Sequence, residues 1–222
     1  MSKSAIILGA TGLTGSLLLE QLIADESFSR IILFSRSTAK VNHPKVEEYL
    51  IDLFELEQHK EQFNADVVFC CIGTTKKKTP DQSLYRKIDF GIPVKAAQMC
   101  RDKGIETFLV ISAMGANKNS SIFYNRTKGE MEEEVLAQQI TNTYILRPAL
   151  ITGDRSEKRA GEKFAIYLFK VLDWFMIGPL KKYQSISAKQ IATAMLKLSK
   201  STYNQSVIDS ATIKKLAKGE QA

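Results

Sequence analysis

Short apolar runs alternate with longer amphipathic stretches over the first two thirds of the 222-residue chain. The runs are rich in Ile, Val, Leu and Phe, a composition typical of strands that are buried on both faces of a parallel sheet. Such runs predict strands at 4–8, 31–34, 46–51, 66–72, 107–111 and 143–146. Strict alternation of strand and helix predicts an α/β fold, a doubly wound parallel sheet with helices on both faces.

Helical periodicity fills the segments between these strands. The leucine and isoleucine residues of 12–24 fall on one face of a helix. Helices are predicted at 12–24, 54–63, 83–102 and 124–139. Pro93 lies inside the third of them. Since proline lacks an amide N–H, we expect it to kink that helix or to divide it in two.

The pattern becomes less regular after Pro148. Here we predict a very apolar helix at 164–177, a helix at 188–199, a strand at 206–209 and a helix at 211–218. Residues 1–222 are therefore expected to form one domain, with a core at 1–148 and a small C-terminal cap at 149–222. We expect the helix at 164–177 to cover a substrate cleft or to form a subunit interface; an ordinary core helix is the alternative.

Composition and charge narrow the class of protein. An apolar fraction of 44% and a charged fraction of 25% are ordinary for globular proteins. No apolar run reaches the ~20 residues that cross a bilayer, and no secretory signal peptide is evident. We therefore expect a cytoplasmic protein without a membrane partner. The net charge of +7 is spread along the chain without interleaved aromatic residues, which favours a phosphate-bearing ligand over nucleic acid.

The cysteine and histidine residues predict no metal site. Cys70 and Cys71 are adjacent, Cys100 makes the count odd, and only two histidines are present. None has the spacing of a metal site, and the odd count suits a reducing compartment. Buried structural thiols are the expected role of the three cysteines.

A glycine-rich motif, G-A-T-G-L-T-G, follows the first predicted strand and opens the first helix. At this position the backbone approaches a pyrophosphate closely and the N–H groups of the helix point at it. The motif therefore predicts a Rossmann-type dinucleotide site. The alternative is a tight strand–helix turn that binds nothing. The predicted cofactor-binding residues of this loop are Gly9, Thr11, Gly12, Leu13, Thr14 and Gly15.

The end of the second strand bears on the choice of cofactor. An NAD site usually has Asp or Glu here for the ribose 2′-hydroxyl, but this chain has Ser35, Arg36 and Ser37. A guanidinium can bind a 2′-phosphate through two hydrogen bonds, so we predict NADP(H). Lys40 supplies a second charge, and an ordinary surface arginine is the alternative. Further predicted cofactor-binding residues are Asp52, Leu53, Cys71, Gly73 and Thr74.

The candidate catalytic residues are Ser112, Tyr124 and Lys128. Y-x-x-x-K alone is a weak motif, but here it opens the helix after the fifth strand, and Ser112 ends that strand. Residues four apart share a helix face, so Lys128 is predicted to lie beside Tyr124 and to lower its pKa toward neutrality. Ser112 is expected to donate a hydrogen bond to the same substrate oxygen, and together the three residues predict a proton donor for a carbonyl. A packing tyrosine with a surface lysine is the alternative.

These residues resemble the short-chain dehydrogenase/reductases in their atypical and extended branches. The group most similar is the Tat-interacting-protein oxidoreductase-like group with its bacterial relatives. The resemblance rests on 9–15, 52–53, 71–75, 88–89, 112, 124–130 and 146–148. It implies a Rossmann core, NADP(H), a Ser/Tyr/Lys site, contact of Lys128 with the nicotinamide ribose, and cofactor-binding roles for Arg147 and Pro148. Asp89 departs from the family pattern, because many relatives have Asn there, which puts a proton relay through this residue in doubt.

The sequence therefore predicts an NADP(H)-dependent oxidoreductase that transfers a hydride to or from a small carbonyl or alcohol substrate. The rival hypothesis is a regulator that binds NADP(H) and reports its redox state without turnover. A third is an epimerase or dehydratase of the extended branch. A homodimer and a regulatory protein partner both stay open.

Overall fold

The computed structural model describes residues 2–152 and 184–220. The apolar helix predicted at 164–177 lies outside the described residues. Within them, every predicted strand is present, with ends that differ by at most three residues. The strands are β1 Lys3–Leu8, β2 Phe28–Ser35, β3 Val46–Leu50, β4 Val67–Cys70, β5 Thr107–Ile111, β6 Asn142–Arg147, β7 Ile151–Thr152, β8 Ile186–Ser187 and β9 Val207–Asp209.

Seven of these strands form one parallel sheet in the order β3-β2-β1-β4-β5-β6-β9. The sequence runs outward from β1 in both directions, which makes the doubly wound Rossmann arrangement and places a crevice beside β1 and β4. The register aligns the carboxyl ends, since Leu8 is opposite Cys70 and Cys70 is opposite Val110. The residues that follow these strands therefore meet at one edge of the sheet. The predicted fold class is confirmed.

Helices connect the strands on both faces of the sheet. They are α1 Leu13–Ala24, α2 Gln82–Arg86, α3 Ile92–Lys103, α4 Phe123–Leu136, α5 Ala188–Leu198 and α6 Ser210–Lys218. The helix predicted at 54–63 is instead a 3₁₀ helix at Leu53–His59. Its buried residues Leu53 and Leu56 are three apart, a spacing that fits three residues per turn.

The proline prediction is confirmed, since the stretch divides into α2, a wider π-helical turn at Lys87–Gly91, and α3. Pro93 lies in the first turn of α3. The wider turn at Lys87–Gly91 lies just before Pro93, and the Ile92 amide N–H donates to the Lys87 carbonyl oxygen across it.

Two apolar clusters fill the two faces of the sheet. Alternate residues of each strand point to opposite faces, so that Ile6 belongs to one cluster and Ile7 to the other. The first cluster packs against α3 and α4, and the second against α1, α5 and α6. No helix among the residues described is long and apolar enough to cross a membrane.

The described part of the C-terminal tail continues the core. β9 pairs with β6, and α5 buries an apolar stripe that includes Ile191, Met195 and Leu198 in the second cluster. Ser187 and Gln190 form a capping box at the start of α5. Residues 184–220 therefore pack on the core sheet, and the division into a core at 1–148 and a cap at 149–222 stays a prediction.

Candidate active site

A cleft of about 950 Å³ opens at the edge of the sheet where β1, β4, β5 and β6 end. It brings together most of the residues that the sequence singled out. Those on its wall are Thr11, Gly12, Leu13, Thr14, Cys71, Gly73, Thr74, Ser112, Tyr124, Lys128 and Pro148. The glycine loop and the candidate catalytic residues thus face the same space.

The glycine loop forms a cradle at one end of the cleft. Gly9 has a φ of +87°, a conformation that favours glycine, and its carbonyl oxygen accepts the Gly12 amide N–H at 3.0 Å. A Cβ on Gly15 would lie 2.1 Å from that same oxygen. Because Gly9 and Gly15 have no side chains, the backbone of the glycine loop lies in direct contact with the backbone of α1.

The start of α1 offers donors for an anion. Gly12 precedes the helix and no side chain caps its first turn. The first amide groups of a helix have no partner within it and lie at the positive end of its dipole. Leu13 and Thr14, which belong to that turn, line the cleft. The cradle and the uncapped N–H groups fit a pyrophosphate.

The loop after β4 is held rigidly at the floor of the cleft. The Thr74 amide N–H donates to Oδ2 of Asp89 at 2.8 Å, and the Thr74 carbonyl accepts the Tyr85 hydroxyl at 3.2 Å. The Thr74 and Thr79 hydroxyls are 2.8 Å apart. The backbone at Gly73 and Thr74 is therefore fixed before any ligand binds.

Asp89 and Lys128 form an ion pair inside the cleft wall, with 2.9 Å between Oδ1 and Nζ. Their side chains are 1% and 4% exposed. Nζ also lies 3.4 Å from the Ile111 carbonyl oxygen. Burial lowers the pKa of Lys128, but the Asp89 carboxylate and Tyr124 more than offset this and raise it above its usual range. Lys128 is therefore a fixed cation.

Tyr124 opens α4 and its ring is 39% exposed at the cleft. The Tyr85 ring packs edge-on against it with centroids 6.4 Å apart. Burial raises the pKa of the Tyr124 phenol, and Asp89 raises it further against the opposite effect of Lys128. The prediction that Lys128 brings this pKa toward neutrality is wrong, because burial of the phenol outweighs the opposing effect of the lysine. Tyr124 thus keeps its proton at neutral pH.

Ser112 takes part in a second buried network. Its hydroxyl donates to Oε1 of Glu132, and Glu132 is held by Arg147, with Nε 2.9 Å from Oε1. Ser112 and Glu132 are buried, and the Arg147 side chain is 32% exposed. Because its proton is committed to Glu132, Ser112 presents lone pairs to the cleft. Arg147, predicted to bind the cofactor, holds Glu132 instead.

Gly129 lets α4 approach the loop after β5. A Cβ there would lie 2.2 Å from the Lys118 amide nitrogen, so the helix and the loop are in direct backbone contact. This contact fixes Tyr124 and Lys128, one turn apart, relative to Ser112. Gly129 was expected only as part of the family resemblance at 124–130, and Glu132 was not predicted to belong to the site. The signal for Glu132 was its place four residues after Lys128, next to the apolar Met131.

Three further predicted residues lie away from the main cleft. Arg36 is exposed directly after β2. Asp52 accepts the Phe54 amide N–H at 2.9 Å and so caps the 3₁₀ helix, while Leu53 is buried in the first cluster. A smaller hollow of about 270 Å³ lies between the glycine loop and Lys40.

Glu48 shapes the loop after β2, where it accepts the Ala39 amide N–H and the Thr38 hydroxyl, each at 2.7 Å. Arg36 itself makes no ion pair with any residue described. The loop is therefore held by its neighbours while the Arg36 guanidinium stays available to an anion.

The cysteines and acidic residues make no metal centre. Cys70 and Cys100 are buried and Cys71 is half-buried, and all three are free thiols. Burial raises the pKa of the Cys70 thiol to about 11, so it is no nucleophile at neutral pH. Within 2–152 and 184–220, no group of His, Cys, Asp and Glu has the arrangement of a metal site.

Comparison with known proteins agrees with this geometry. A family model described as NAD(P)H-binding matches residues 9–202. Protein HTATIP2 of Rattus norvegicus is 33% identical over 172 residues, which cover 76% of this chain and 71% of that protein. Protein FMP52-1, mitochondrial, of Scheffersomyces stipitis is 34% identical over 161 residues, 70% of each chain.

The fold has solved counterparts. The Bordetella bronchiseptica enzyme WbmH in complex with NAD⁺ superposes with a TM-score of 0.71 at 13% identity, covering 98% of this chain and 80% of that one. At this identity the likeness concerns the fold.

The fungal relatives contradict the predicted cytoplasmic location. FMP52-1 of Scheffersomyces stipitis is named mitochondrial, as are further fungal relatives of that name. The cytoplasmic prediction rested on the lack of a secretory signal peptide. That feature bears only on export and does not distinguish one compartment inside a cell from another.

Proposed function

Because the chain belongs to the NAD(P)H-binding family and to the short-chain dehydrogenase/reductase relatives of HTATIP2 and FMP52 within it, we propose that it is an NADP(H)-dependent oxidoreductase. Its substrate would be a small carbonyl compound or the corresponding alcohol. One observation carries the proposal: a single cleft joins a glycine cradle, a protonated tyrosine and a buried lysine.

The cradle would hold the pyrophosphate of the cofactor. The uncapped N–H groups at the start of α1 suit the negative charge of the pyrophosphate. Gly15 allows the backbone of the loop to contact the helix directly. Lys128 is placed to donate to the nicotinamide ribose, as the family resemblance implies. When bound, the cofactor supplies or accepts the hydride.

Tyr124 would transfer the proton. Its raised pKa keeps the phenol protonated, so it can donate to a carbonyl oxygen as negative charge develops there. Ser112 has a different role from the one expected, because its own proton goes to Glu132. Its lone pairs can accept a hydrogen bond from the hydroxyl group of the alcohol. Ser112 therefore orients the alcohol form of the substrate, and Tyr124 is the donor to the carbonyl form.

Preference for NADP(H) over NAD(H) is proposed from Arg36. Its guanidinium follows β2, where the adenosine ribose lies in this fold, and no residue described neutralises it. A 2′-phosphate would supply the missing partner through charge-assisted hydrogen bonds. The acid that an NAD site usually carries at this position is absent.

Replacement of Tyr124 by phenylalanine tests the proposal. Tyr124→Phe removes one hydroxyl group and keeps the ring, so NADPH affinity should stay within about threefold, under ~0.7 kcal/mol. Turnover of a carbonyl panel, followed by NADPH absorbance, should fall by about 10²–10⁴-fold, the usual contribution of a positioned general acid. Tyr49→Phe, on β3 and distant from the cleft, is the matched control and should retain full activity.

Two results would change the assignment. If Tyr124→Phe reduces a substrate as fast as the wild type, Tyr124 is not the proton donor. If both proteins bind NADPH equally and neither turns over any substrate, the protein is better described as a regulator that senses the cofactor.

A further inference from the structure

The carboxylate of Asp89 lies deep in the wall of the cleft and is held from two sides. Oδ1 pairs with Lys128 Nζ at 2.9 Å and Oδ2 accepts the Thr74 amide N–H at 2.8 Å. Both oxygens act as acceptors, an arrangement that suits the ionised carboxylate. With 1% of its side chain exposed, Asp89 cannot turn toward solvent. It is a fixed negative charge beside the candidate catalytic residues.

This charge changes the electrostatics at one end of the cleft. Lys128 and Asp89 together carry no net charge, whereas Lys128 beside a neutral amide would carry +1. Burial strengthens the effect, because charges interact more strongly where water is excluded. Of the described residues that line the cleft, Lys78 is the remaining charged one. It is the same in every variant considered below, so its contribution cancels in a comparison.

The two redox forms of a nicotinamide cofactor differ by one positive charge, which the oxidised ring carries and the reduced ring lacks. All other parts of the two molecules are identical. A fixed negative charge near the ring therefore stabilises the oxidised form relative to the reduced form. If Lys128 contacts the nicotinamide ribose, Asp89 lies one side chain away from that ribose.

We propose that Asp89 shifts the preference of this site toward the oxidised nicotinamide cofactor and away from the reduced one. The inference rests on the proposed function, since it assumes that the nicotinamide end of the cofactor lies beside Lys128. It assigns Asp89 a role in selecting the redox state of the ligand, through the charge that it adds next to Lys128. The same bias operates in an enzyme and in a sensor, because it concerns binding and needs no turnover.

The test is a set of four dissociation constants for each protein, measured by calorimetry with NADP⁺, NADPH, NAD⁺ and NADH. The readout is the Kd of the reduced form divided by the Kd of the oxidised form. This ratio cancels every contact with the shared part of the cofactor, including any general weakening of the site. The wild-type ratio is the reference against which each variant is compared.

Asp89→Asn removes the charge and keeps the shape, and it should shift the ratio by at least about tenfold toward the reduced form, ~1.4 kcal/mol. Asp89→Glu keeps the charge and should leave the ratio within about threefold of the wild-type value. Asp102→Asn is the matched control for charge, because Asp102 is exposed at the end of α3. It should leave the ratio unchanged.

The outcomes separate this inference from the proposed function. If the wild type binds none of the four cofactor forms, the proposed function fails. If it binds them and Asp89→Asn shifts the ratio by less than about tenfold, or Asp102→Asn shifts it equally, the role of Asp89 is overturned. Should Asp89→Asn fail to fold, Asp89→Ser removes the same charge with a smaller side chain: a shift of at least about tenfold toward the reduced form supports the role, and a smaller shift overturns it.

Discussion

The contact between Gly15 and the glycine loop gives a quantitative prediction. A Cβ added by Gly15→Ala would lie 2.1 Å from the Gly9 carbonyl oxygen, and real Cβ atoms stay at least 3.0 Å from such an atom. The atoms on the other side are backbone, so no side chain can swing away. Helix α1 or the loop must therefore move by about 0.9 Å.

This shift has two expected costs. Overpacking of a close-packed contact typically destabilises a protein by about 1–3 kcal/mol, and we expect that loss in the free energy of unfolding. A displacement near 1 Å also moves the first amide groups of α1 away from the pyrophosphate. Loss of one hydrogen bond to a charged group costs about 1.5–3 kcal/mol, so NADPH affinity should fall by about tenfold or more.

Gly91→Ala is the matched control. A Cβ on Gly91 meets nothing within 4 Å, and its φ of −63° is helical. Alanine is favoured over glycine in a helix by about 0.5–1 kcal/mol, so Gly91→Ala should be neutral or stabilising, with unchanged NADPH affinity. Urea unfolding and fluorescence titration of NADPH measure both quantities. If Gly15→Ala binds NADPH as tightly as the wild type, the cradle is not the pyrophosphate site.

Two further predictions concern the buried networks. Glu132→Gln leaves Arg147 without its carboxylate and should lower the free energy of unfolding by about 1–3 kcal/mol, less than for a fully buried pair because the Arg147 side chain is 32% exposed. Glu133→Gln removes a carboxylate from an ion pair whose side chains are 51% and 54% exposed, and it should change the free energy of unfolding by under about 0.5 kcal/mol. Equal losses for the two variants in urea unfolding would contradict the structural role of Glu132. For carbonyl reduction, kcat/KM should stay level through about pH 9 and decline only above about pH 10. Activity needs the proton on Tyr124 and is lost as the pH rises through the raised pKa of this phenol. A decline near pH 7 would show that this pKa is lowered.

The sequence was sufficient to predict the sheet and the glycine loop, and the reason is local. Buried parallel strands are nearly continuous apolar runs, and the loop between β1 and α1 is specified by three glycines within seven residues. Tyr124 and Lys128 were paired correctly because their spacing on one helix fixes their relation.

The partners of the site residues depend on contacts that sequence spacing does not encode. Asp89 reaches Lys128 only because a π-helical turn before α3 and the start of α4 pack side by side. Burial raises the pKa of Tyr124 most, and the Asp89 carboxylate adds to this rise against the effect of Lys128. In the same way, Ser112 meets Glu132 across two elements, which changes the serine from a hydrogen-bond donor toward the cleft into an acceptor.

The most direct test of the account is a calorimetric titration of the wild-type protein with NADPH and with NADH. The account predicts saturable binding of one NADPH per chain, at least about tenfold tighter than NADH, ~1.4 kcal/mol. Arg36→Ala should remove most of that difference, because the 2′-phosphate loses its partner. Absence of saturable binding would contradict a cofactor site at the glycine loop, and equal affinities for NADPH and NADH would contradict the role proposed for Arg36.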